Sequence, residues 1–220
     1  MEFANLIPFW KAFLSGLLVT VELSVIAIVG GLLIGILTSS VLTVKNNTLP
    51  MRVLKAIVKV YVAMFRGAPL LILLFFGYYG IAYLGVDMPI FAACSYVLCL
   101  YGGAYICEII RSGIESIPTG QYEAAQLLGY NKSQTFFKIV LPQVVKIVLP
   151  SVTNEVITLV KDTSLVYSVS YIEMFALAKQ IAAAQTTVLP FVIAGVFYYV
   201  FNFVVAWVME WLEKKMNYYR

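Results

Sequence analysis

Residues 123–142 read EAAQLLGYNKSQTFFKIVLP and form a polar, helix-forming stretch between two long apolar runs. Glu123 falls in the first turn of the expected helix, where a negative charge suits the helix dipole. Ala124 and Ala125 favour helix and are small enough for a partner surface to approach closely. Gly129 is expected to end this helix in a left-handed cap. The stretch is therefore predicted to be a folded loop between two membrane spans.

The composition around this loop predicts an all-α integral membrane protein. The chain has 220 residues, of which 62% are hydrophobic and 12% are charged, against about 45–50% and about 25% in soluble domains. This excess of apolar side chains is more than one small core can bury, so lipid must be the solvent. Residues 1–220 are expected to form a single transmembrane domain.

Five apolar runs are long enough to cross the bilayer as helices, which takes roughly 20 residues each. They lack the apolar–polar alternation of membrane β-barrel strands, and they are too long for such strands. Charged and polar residues interrupt the fourth run, which makes it the weakest of the five. The predicted spans are residues 12–44, 61–84, 89–110, 140–168 and 188–212, with the loop at 111–142 between the third and the fourth.

Local features of the spans predict how they pack. Gly31 and Gly35 form a small-xxx-small pair that lets another helix approach closely. Gly67 and Pro69 predict a break in the second span, and Arg66 beside them is expected to extend its charged end towards the membrane surface. Three residues at the end of the third span and just beyond it are spaced to pair along one helix face and to brace the root of the loop: Glu108, Arg111 and Glu115.

Basic residues predict the orientation, because cytoplasmic loops are enriched in Lys and Arg. With five spans, most of them fall on one side, namely Lys45, Arg52, Lys55, Lys59, Arg111, Lys132, Lys138, Lys146, Lys214, Lys215 and Arg220. The other side receives Lys11, Lys161 and Lys179. The N-terminus is therefore predicted outside, and the C-terminus and the loop in the cytoplasm. The net charge of +4 does not indicate a nucleic-acid partner, because the basic residues flank apolar runs and form no patch.

The loop resembles the EAA loop of ABC importer permeases. The family pattern is Glu-Ala-Ala, three residues, Gly, nine residues and Ile-x-Leu-Pro, and this sequence matches each fixed position. In that family the loop docks into a cleft on a separate ATPase subunit and carries force into the membrane. The resemblance therefore implies a type I importer permease core with a cytoplasmic coupling helix. It assigns ATPase coupling to Tyr122, Glu123, Ala124, Ala125, Leu128 and Gly129.

Further stretches resemble permeases for polar amino acids, the histidine, glutamine, glutamate, arginine and opine type. They are residues 16–17, 20–24, 65–71, 108–114, 117–118, 120–122 and 159–165. The second span departs from the family, which often has Thr where Ala68 stands and Gln near Leu73. The loss of these two polar groups weakens any solute site copied from relatives to that span.

The resemblance also implies partners. They are two ATP-binding subunits, a second permease subunit (this chain or a relative) and an extracytoplasmic amino-acid-binding protein, assembled in the bacterial inner membrane. The chain is expected to bind no cofactor, with ATP and magnesium on the partner ATPases. It has no Gly-x4-Gly-Lys-Ser/Thr pattern and so no phosphate-binding loop. It has no histidine, and its three cysteines match no metal-binding spacing, so no metal site is expected.

Charged residues inside spans are costly and indicate function. Glu155, Thr158 and Asp162 are spaced i, i+3 and i+7, so they share one helix face, and that face must turn away from lipid. Together with Glu22 and Thr163 they form the predicted solute path, in which carboxylates hold an ammonium group. In the alternative interpretation, neighbouring basic groups, Lys161 first among them, neutralise these carboxylates as structural pairs.

Two other classes of function compete with an importer. A stand-alone secondary transporter or channel needs its own ion coupling, which Asp162 could supply, but five spans cannot divide into two equal inverted repeats. A membrane enzyme needs a nucleophile–base pair or a metal cluster, and the sequence offers neither. The favoured interpretation is a permease that moves a polar amino acid by alternating access, driven by ATP on other subunits.

Overall fold

A computed structural model describes residues 9–44 and 48–215. Lys45 and Arg220, two of the residues behind the predicted orientation, lie outside the described residues. Within the described part, every regular element is helical, which confirms the predicted all-α fold. The helices are α1 (Trp10–Thr43), α2 (Leu49–Gly67), α3 (Leu70–Phe75), α4 (Ile81–Tyr83), α5 (Ile90–Glu115), α6 (Thr119–Leu127), α7 (Lys132–Thr135), α8 (Leu141–Asp162), α9 (Met174–Gln185) and α10 (Leu189–Lys215).

Several of these helices join into longer rods through turns of different pitch. A π-helical turn at Phe76–Gly80 connects α3 to α4, and another at Phe136–Val140 connects α7 to α8. A 3₁₀ segment at Thr163–Val169 extends α8. Four helical stretches of the described chain are long and apolar enough to cross a membrane: Trp10–Thr43, Ile90–Glu115, Lys132–Val169 and Leu189–Lys215.

Helix α2 and the rod of α3 and α4 reach the length and hydropathy of a span only when they are counted together as one bent pair. The two parts meet at an angle of 114°. Ala68 between them is extended, with φ −102° and ψ 141°, because a residue before a proline avoids the helical region. The predicted break at Gly67 and Pro69 is therefore confirmed. The helix before the break begins at Leu49 rather than near Tyr61, the predicted start of the second span.

Close packing of α1 against α5 forms the centre of the bundle. A Cβ on Gly31 would lie 3.3 Å from the Gly103 backbone nitrogen, and one on Gly35 would lie 2.7 Å from Cβ of Ile106. Only glycine allows the two helices to come this close. The predicted role of the Gly31 and Gly35 pair is confirmed, and the partner helix is α5. Around this contact lies the largest core cluster, with Leu23, Leu74, Leu98 and Val166 at its centre.

The last two helices close one end of the bundle. On α9, Met174 and Ile181 pack against Phe13 of α1 and Ala194 of α10. Beyond this contact, no residue of α10 up to Lys215 is fully buried, and its exposed side chains are mostly large and apolar. Such a surface is stable in lipid or against another apolar helix, and it would be costly in water.

Candidate functional site

The EAA stretch forms a short helix, α6, that is anchored to the ends of two spans. Pro118 precedes it with φ −58° and ψ 140° and so sets the turn out of α5. Tyr122 packs into a small apolar cluster with Ile117, Val140 and Val144. Ala125 is buried as well, with 1% of its surface exposed. A displacement of α6 therefore presses on the ends of α5 and α8, the two spans that it joins.

The C-terminus of α6 is closed by a left-handed glycine, as predicted. Gly129 has φ 78°, and its amide donates to the Gln126 carbonyl at 3.0 Å. The Tyr130 amide donates to the Ala125 carbonyl at 3.0 Å, which completes a Schellman motif. These two hydrogen bonds satisfy carbonyls that the helix end would otherwise leave unpaired.

A second short helix, α7, follows Gly129, and it begins at a capping box that sequence analysis missed. The Gln134 amide donates to the Asn131 side chain at 2.9 Å, and the Asn131 amide donates to the Gln134 side chain at 3.0 Å. The signal was available, because Asn followed three residues later by Gln fits the capping-box spacing. The box fixes the direction in which the chain leaves Gly129 and enters α8.

The outer face of α6 is open and carries large apolar side chains among polar ones. Glu123 and Ala124 are exposed, and Leu127 and Leu128 are 90% and 75% exposed. Large apolar side chains at this exposure, outside the spans, indicate a surface that another protein covers. Leu127 is absent from the predicted coupling set, although it follows Glu-Ala-Ala closely. Of that set, Tyr122 and Ala125 point towards the rest of the chain, and their contacts hold α6 against the bundle.

The root of the loop is braced by ion pairs at the end of α5. Arg111 pairs with Glu108 and, at 2.6 Å, with Glu115, so the predicted pairing is present. Arg66 from α2 joins this network at 3.8 Å from Glu108. Its guanidinium also lies 5.5 Å from the centre of the Tyr105 ring, within cation–π range. Arg66 thus links the bend after α2 to the end of α5.

Two carboxylates of the predicted solute path lie together on the inner side of α8. Glu155 and Asp162 are about 10 Å apart along the helix axis, and each has one buried oxygen without a hydrogen-bond partner in the described chain. Tyr101 of α5 lies within electrostatic range of both. Neither carboxylate forms an ion pair with a described Lys or Arg, and Lys161 is exposed. Lys161 nevertheless lies within electrostatic range of Asp162, and Arg66 within that of Glu155, so the solute path and the alternative interpretation both stay predictions.

The other predicted path residues have different surroundings. The Thr158 hydroxyl is exposed and donates to the Asn154 carbonyl at 2.9 Å. Thr163 is fully buried and donates to the Val160 carbonyl at 2.7 Å. Glu22 is exposed on α1. Both hydroxyls thus bond to their own helix backbone, and the structure brings together only the two carboxylates.

A fully buried carboxylate, that of Glu173, was missed by sequence analysis. It is 0% exposed and stands just before α9. Its oxygens accept hydrogen bonds from the Phe175 amide at 2.8 Å, the Ala176 amide at 2.7 Å, the Tyr198 hydroxyl at 2.9 Å and the Thr20 hydroxyl at 3.2 Å. The signal was its position before a helical apolar run, where a carboxylate caps free amides.

The Glu173 carboxylate ties three helices together. Burial raises the pKa of the Glu173 carboxyl, and the hydrogen bonds from Phe175 and Ala176 act in the opposite direction. Each donor around it is satisfied, which is how a polar group becomes tolerable in an apolar interior. Its geometry therefore indicates a structural joint between α1, α9 and α10, unlike the open carboxylates of α8.

Comparison with known proteins shows similarity along almost the whole chain. The sequence model of the binding-protein-dependent transport system inner membrane component family matches residues 27–218. A protein of Rickettsia conorii named as the glutamine transport system permease GlnP is 36% identical, over 97% of this chain and 98% of its own. The arginine transport system permease protein ArtQ of Bacillus subtilis is 34% identical, over 99% and 98%. The crystal structure of an amino acid ABC transporter with histidines superposes with a TM-score of 0.88 at 27% identity, covering 98% of this chain and 99% of that one.

Proposed function

Since the chain belongs to the family of binding-protein-dependent transport system inner membrane components, we propose that it moves a polar amino acid across the bacterial inner membrane, driven by ATP. The observation that carries this proposal is the outer face of α6. Leu127 and Leu128 are exposed there, while Tyr122 and Ala125 fix the same helix to α5 and α8. Such a helix can receive a partner's movement and pass it to two spans.

The proposed mechanism is alternating access, with the chemistry on other subunits. Two ATP-binding subunits hold ATP and magnesium, and α6 docks on one of them from the cytoplasm. As the ATPases close and open, α6 moves the ends of α5 and α8, and the solute path opens to one side and then the other. The N-terminus then lies outside and the C-terminus in the cytoplasm. This assignment rests on the excess of basic residues on the side of α6.

A pore of this kind needs a second permease subunit, which is either a second copy of this chain or a relative. The exposed apolar surface of α10 supports burial in lipid or against that subunit. An extracytoplasmic binding protein delivers the amino acid at the opposite end from α6. The relatives carry names for glutamine, arginine and cystine transport, which supports a polar amino acid as the class of solute.

The proposed solute path begins with Glu155 and Asp162. Their unpartnered oxygens can accept hydrogen bonds from the ammonium group that every amino acid carries, and charge-assisted bonds of this kind are strong. Tyr101 of α5 lies within electrostatic range of both carboxylates. Glu22, Thr158 and Thr163 would join this path after a rearrangement of the helices, since Thr158 and Thr163 now bond to backbone carbonyls.

The test is co-purification of the chain with the ATPase and binding protein encoded beside it, followed by reconstitution in vesicles. A panel containing glutamine, arginine, cystine and histidine is scored for uptake and for stimulation of ATP hydrolysis. We expect the ATPase to co-purify and to be stimulated only when the binding protein and its amino acid are both present. Uptake by this chain alone, driven by an ion gradient, would overturn the proposal in favour of a secondary transporter.

A further inference from the structure

Helix α2 differs from the spans in that it is amphipathic along its whole length. One face is buried against the C-terminal part of α1 and the middle of α5, where Val58 and Val62 contact Cys107 and Leu42. The 114° bend after Gly67 prevents α2 from continuing the direction of α3. Helix α2 therefore crosses the bundle near the end that carries α6.

A second face of α2 carries a row of cations. Arg52, Lys55 and Lys59 are spaced three and four residues apart, which places them on one side of the helix. Residues 49–67 contain no acidic residue. Lys55 is half-buried and donates to the Val44 carbonyl. Arg52 and Lys59 are exposed, and neither forms an ion pair with any residue that the structure describes.

The third face of α2 is apolar and uncovered. Its exposed side chains are Leu49, Val53, Ile57, Val60 and Met64. Exposure of this apolar face to water would be energetically costly. Burial of the neighbouring cations in the hydrocarbon core would also be costly. The one environment that suits both is the membrane interface, where an amphipathic helix buries its apolar face among acyl chains and keeps its cations at the headgroups.

We propose that α2 binds anionic phospholipid headgroups of the cytoplasmic leaflet through Arg52 and Lys59, with its apolar face among the acyl chains. This inference rests on the orientation given in the proposed function. Cations on an amphipathic helix beside a span are the arrangement that recognises anionic lipid. A second copy of the chain is a poorer occupant, because a two-fold contact through this face would bring the two rows of cations together.

The lipid contact also holds α2 in a fixed position relative to the bilayer. Arg66, at its end, is attached to Glu108 and Tyr105 of α5. A helix held at the headgroups at one end and joined to α5 at the other fixes the bend at Ala68 relative to the bilayer. The α3–α4 rod can then move against a stationary element when α6 displaces α5.

The experiment titrates phosphatidylglycerol into the detergent-purified complex with its ATPase subunits and counts bound lipid by native mass spectrometry. Changing Arg52→Gln with Lys59→Gln is expected to lower the apparent affinity about fivefold for each cation removed. Exchanging the cations, Arg52→Lys with Lys59→Arg, is expected to preserve it. The matched control, Lys132→Gln with Lys138→Gln, removes the same charge elsewhere on the same side and is expected to leave the affinity unchanged.

Three results would overturn the inference. In the first, Arg52→Gln with Lys59→Gln binds phosphatidylglycerol as well as the unchanged chain does. In the second, phosphatidylcholine or inorganic phosphate competes as strongly as phosphatidylglycerol. In the third, Ile57→Cys forms an oxidative crosslink to a second permease subunit in the membrane. Recovery of the ATPase subunits in the same preparations tests the proposed function separately, so the failure of either is recognised independently.

Discussion

Helices α6 and α9 both lie outside the spans, at opposite ends of the α8 rod, and they are attached to the bundle in contrasting ways. Helix α9 starts at Glu173, whose carboxylate is fully buried and whose hydrogen bonds reach α1 and α10. Helix α6 is seated by Tyr122 and Ala125 and exposes Leu127 almost completely. One end of the molecule is completed by its own chain, and the other leaves Leu127 and Leu128 exposed.

This contrast separates the residues that hold the fold from those that transmit movement. A joint whose donors and acceptors are all satisfied resists displacement, because each broken hydrogen bond leaves a buried polar group exposed to an apolar interior. A helix held by a few apolar contacts and a glycine cap shifts more easily as a unit. Substitutions at Glu173 should therefore affect stability first, and substitutions on the outer face of α6 should affect assembly.

The largest effect is expected from Glu173→Ala. It leaves two backbone amides and the Tyr198 hydroxyl without their acceptor, while the Thr20 hydroxyl keeps the Gly16 carbonyl. We expect the free energy of unfolding to fall by about 3 kcal/mol. Glu173→Gln keeps one acceptor oxygen and should lose less. The measurement uses the buried thiols of Cys94 and Cys107, which react with a fluorescent maleimide as the chain unfolds on heating. The control is Glu115→Ala, which removes an exposed carboxylate and should shift the transition only slightly. Equal shifts for Glu173→Ala and Glu115→Ala would contradict the structural joint.

The second largest effect is expected at the exposed face of α6. Leu127→Asp places a charge on the proposed docking face, and we expect the affinity for the ATPase subunit to fall about 30-fold, as at an interface hot spot of about 2 kcal/mol. Stability should be unchanged because the side chain is 90% exposed. The matched control is Leu84→Asp. Leu84 is 78% exposed in the turn that follows α4, and this variant should retain the ATPase. Full ATPase binding by Leu127→Asp would place the contact elsewhere on the chain.

A third substitution tests whether the carboxylates of α8 bind the solute or form structural ion pairs. Asp162→Asn removes the charge with little change in shape, and we expect kcat/KM for uptake to fall about tenfold, the value of one charge-assisted hydrogen bond. Lys161→Gln is the decisive comparison. If Lys161 neutralised Asp162 as a structural pair, the two variants would lose stability together. If Asp162 contacts the ammonium group, Lys161→Gln should transport normally.

Sequence patterns were sufficient wherever neighbouring residues determine the structure. The Gly129 cap, the break before Pro69 and the Gly31 contact all follow from local backbone limits or from the absence of a Cβ, so each was predictable. Resemblance to a known loop pattern then located α6. Four of the five apolar runs coincide with helices that are long enough to cross a bilayer.

What the sequence left undetermined depends on contacts between distant segments. Glu173 is separated from Thr20 by more than half the chain, so no periodicity could reveal that they share a hydrogen bond. The extent of α2 was missed because its cations made residues before Tyr61 resemble a polar loop. The exposure of Leu127 and the burial of Ala125 could not be predicted without knowing how Tyr122 packs, because that contact determines which side of α6 faces the bundle. The two hydroxyls of the predicted path were misleading for a related reason, since a Thr side chain in a helix often bonds to the carbonyl one turn earlier.

The smallest effect is expected at the glycine that closes α6. Gly129→Ala forces a side chain into the left-handed region at φ 78°, which costs about 1 kcal/mol. Nothing lies near enough to clash with the new Cβ, so the cost is purely conformational, and the Schellman hydrogen bonds to Gln126 and Ala125 should weaken. Hydrogen exchange at the Gly129 and Tyr130 positions is expected to accelerate about fivefold, and ATPase affinity to fall by a similar factor.

Gly120→Ala is the matched control, since Gly120 lies in the first turn of the same helix without a positive φ. This variant should leave both measurements unchanged. If Gly129→Ala behaved like Gly120→Ala, the cap would not be what holds α6 in position for its partner.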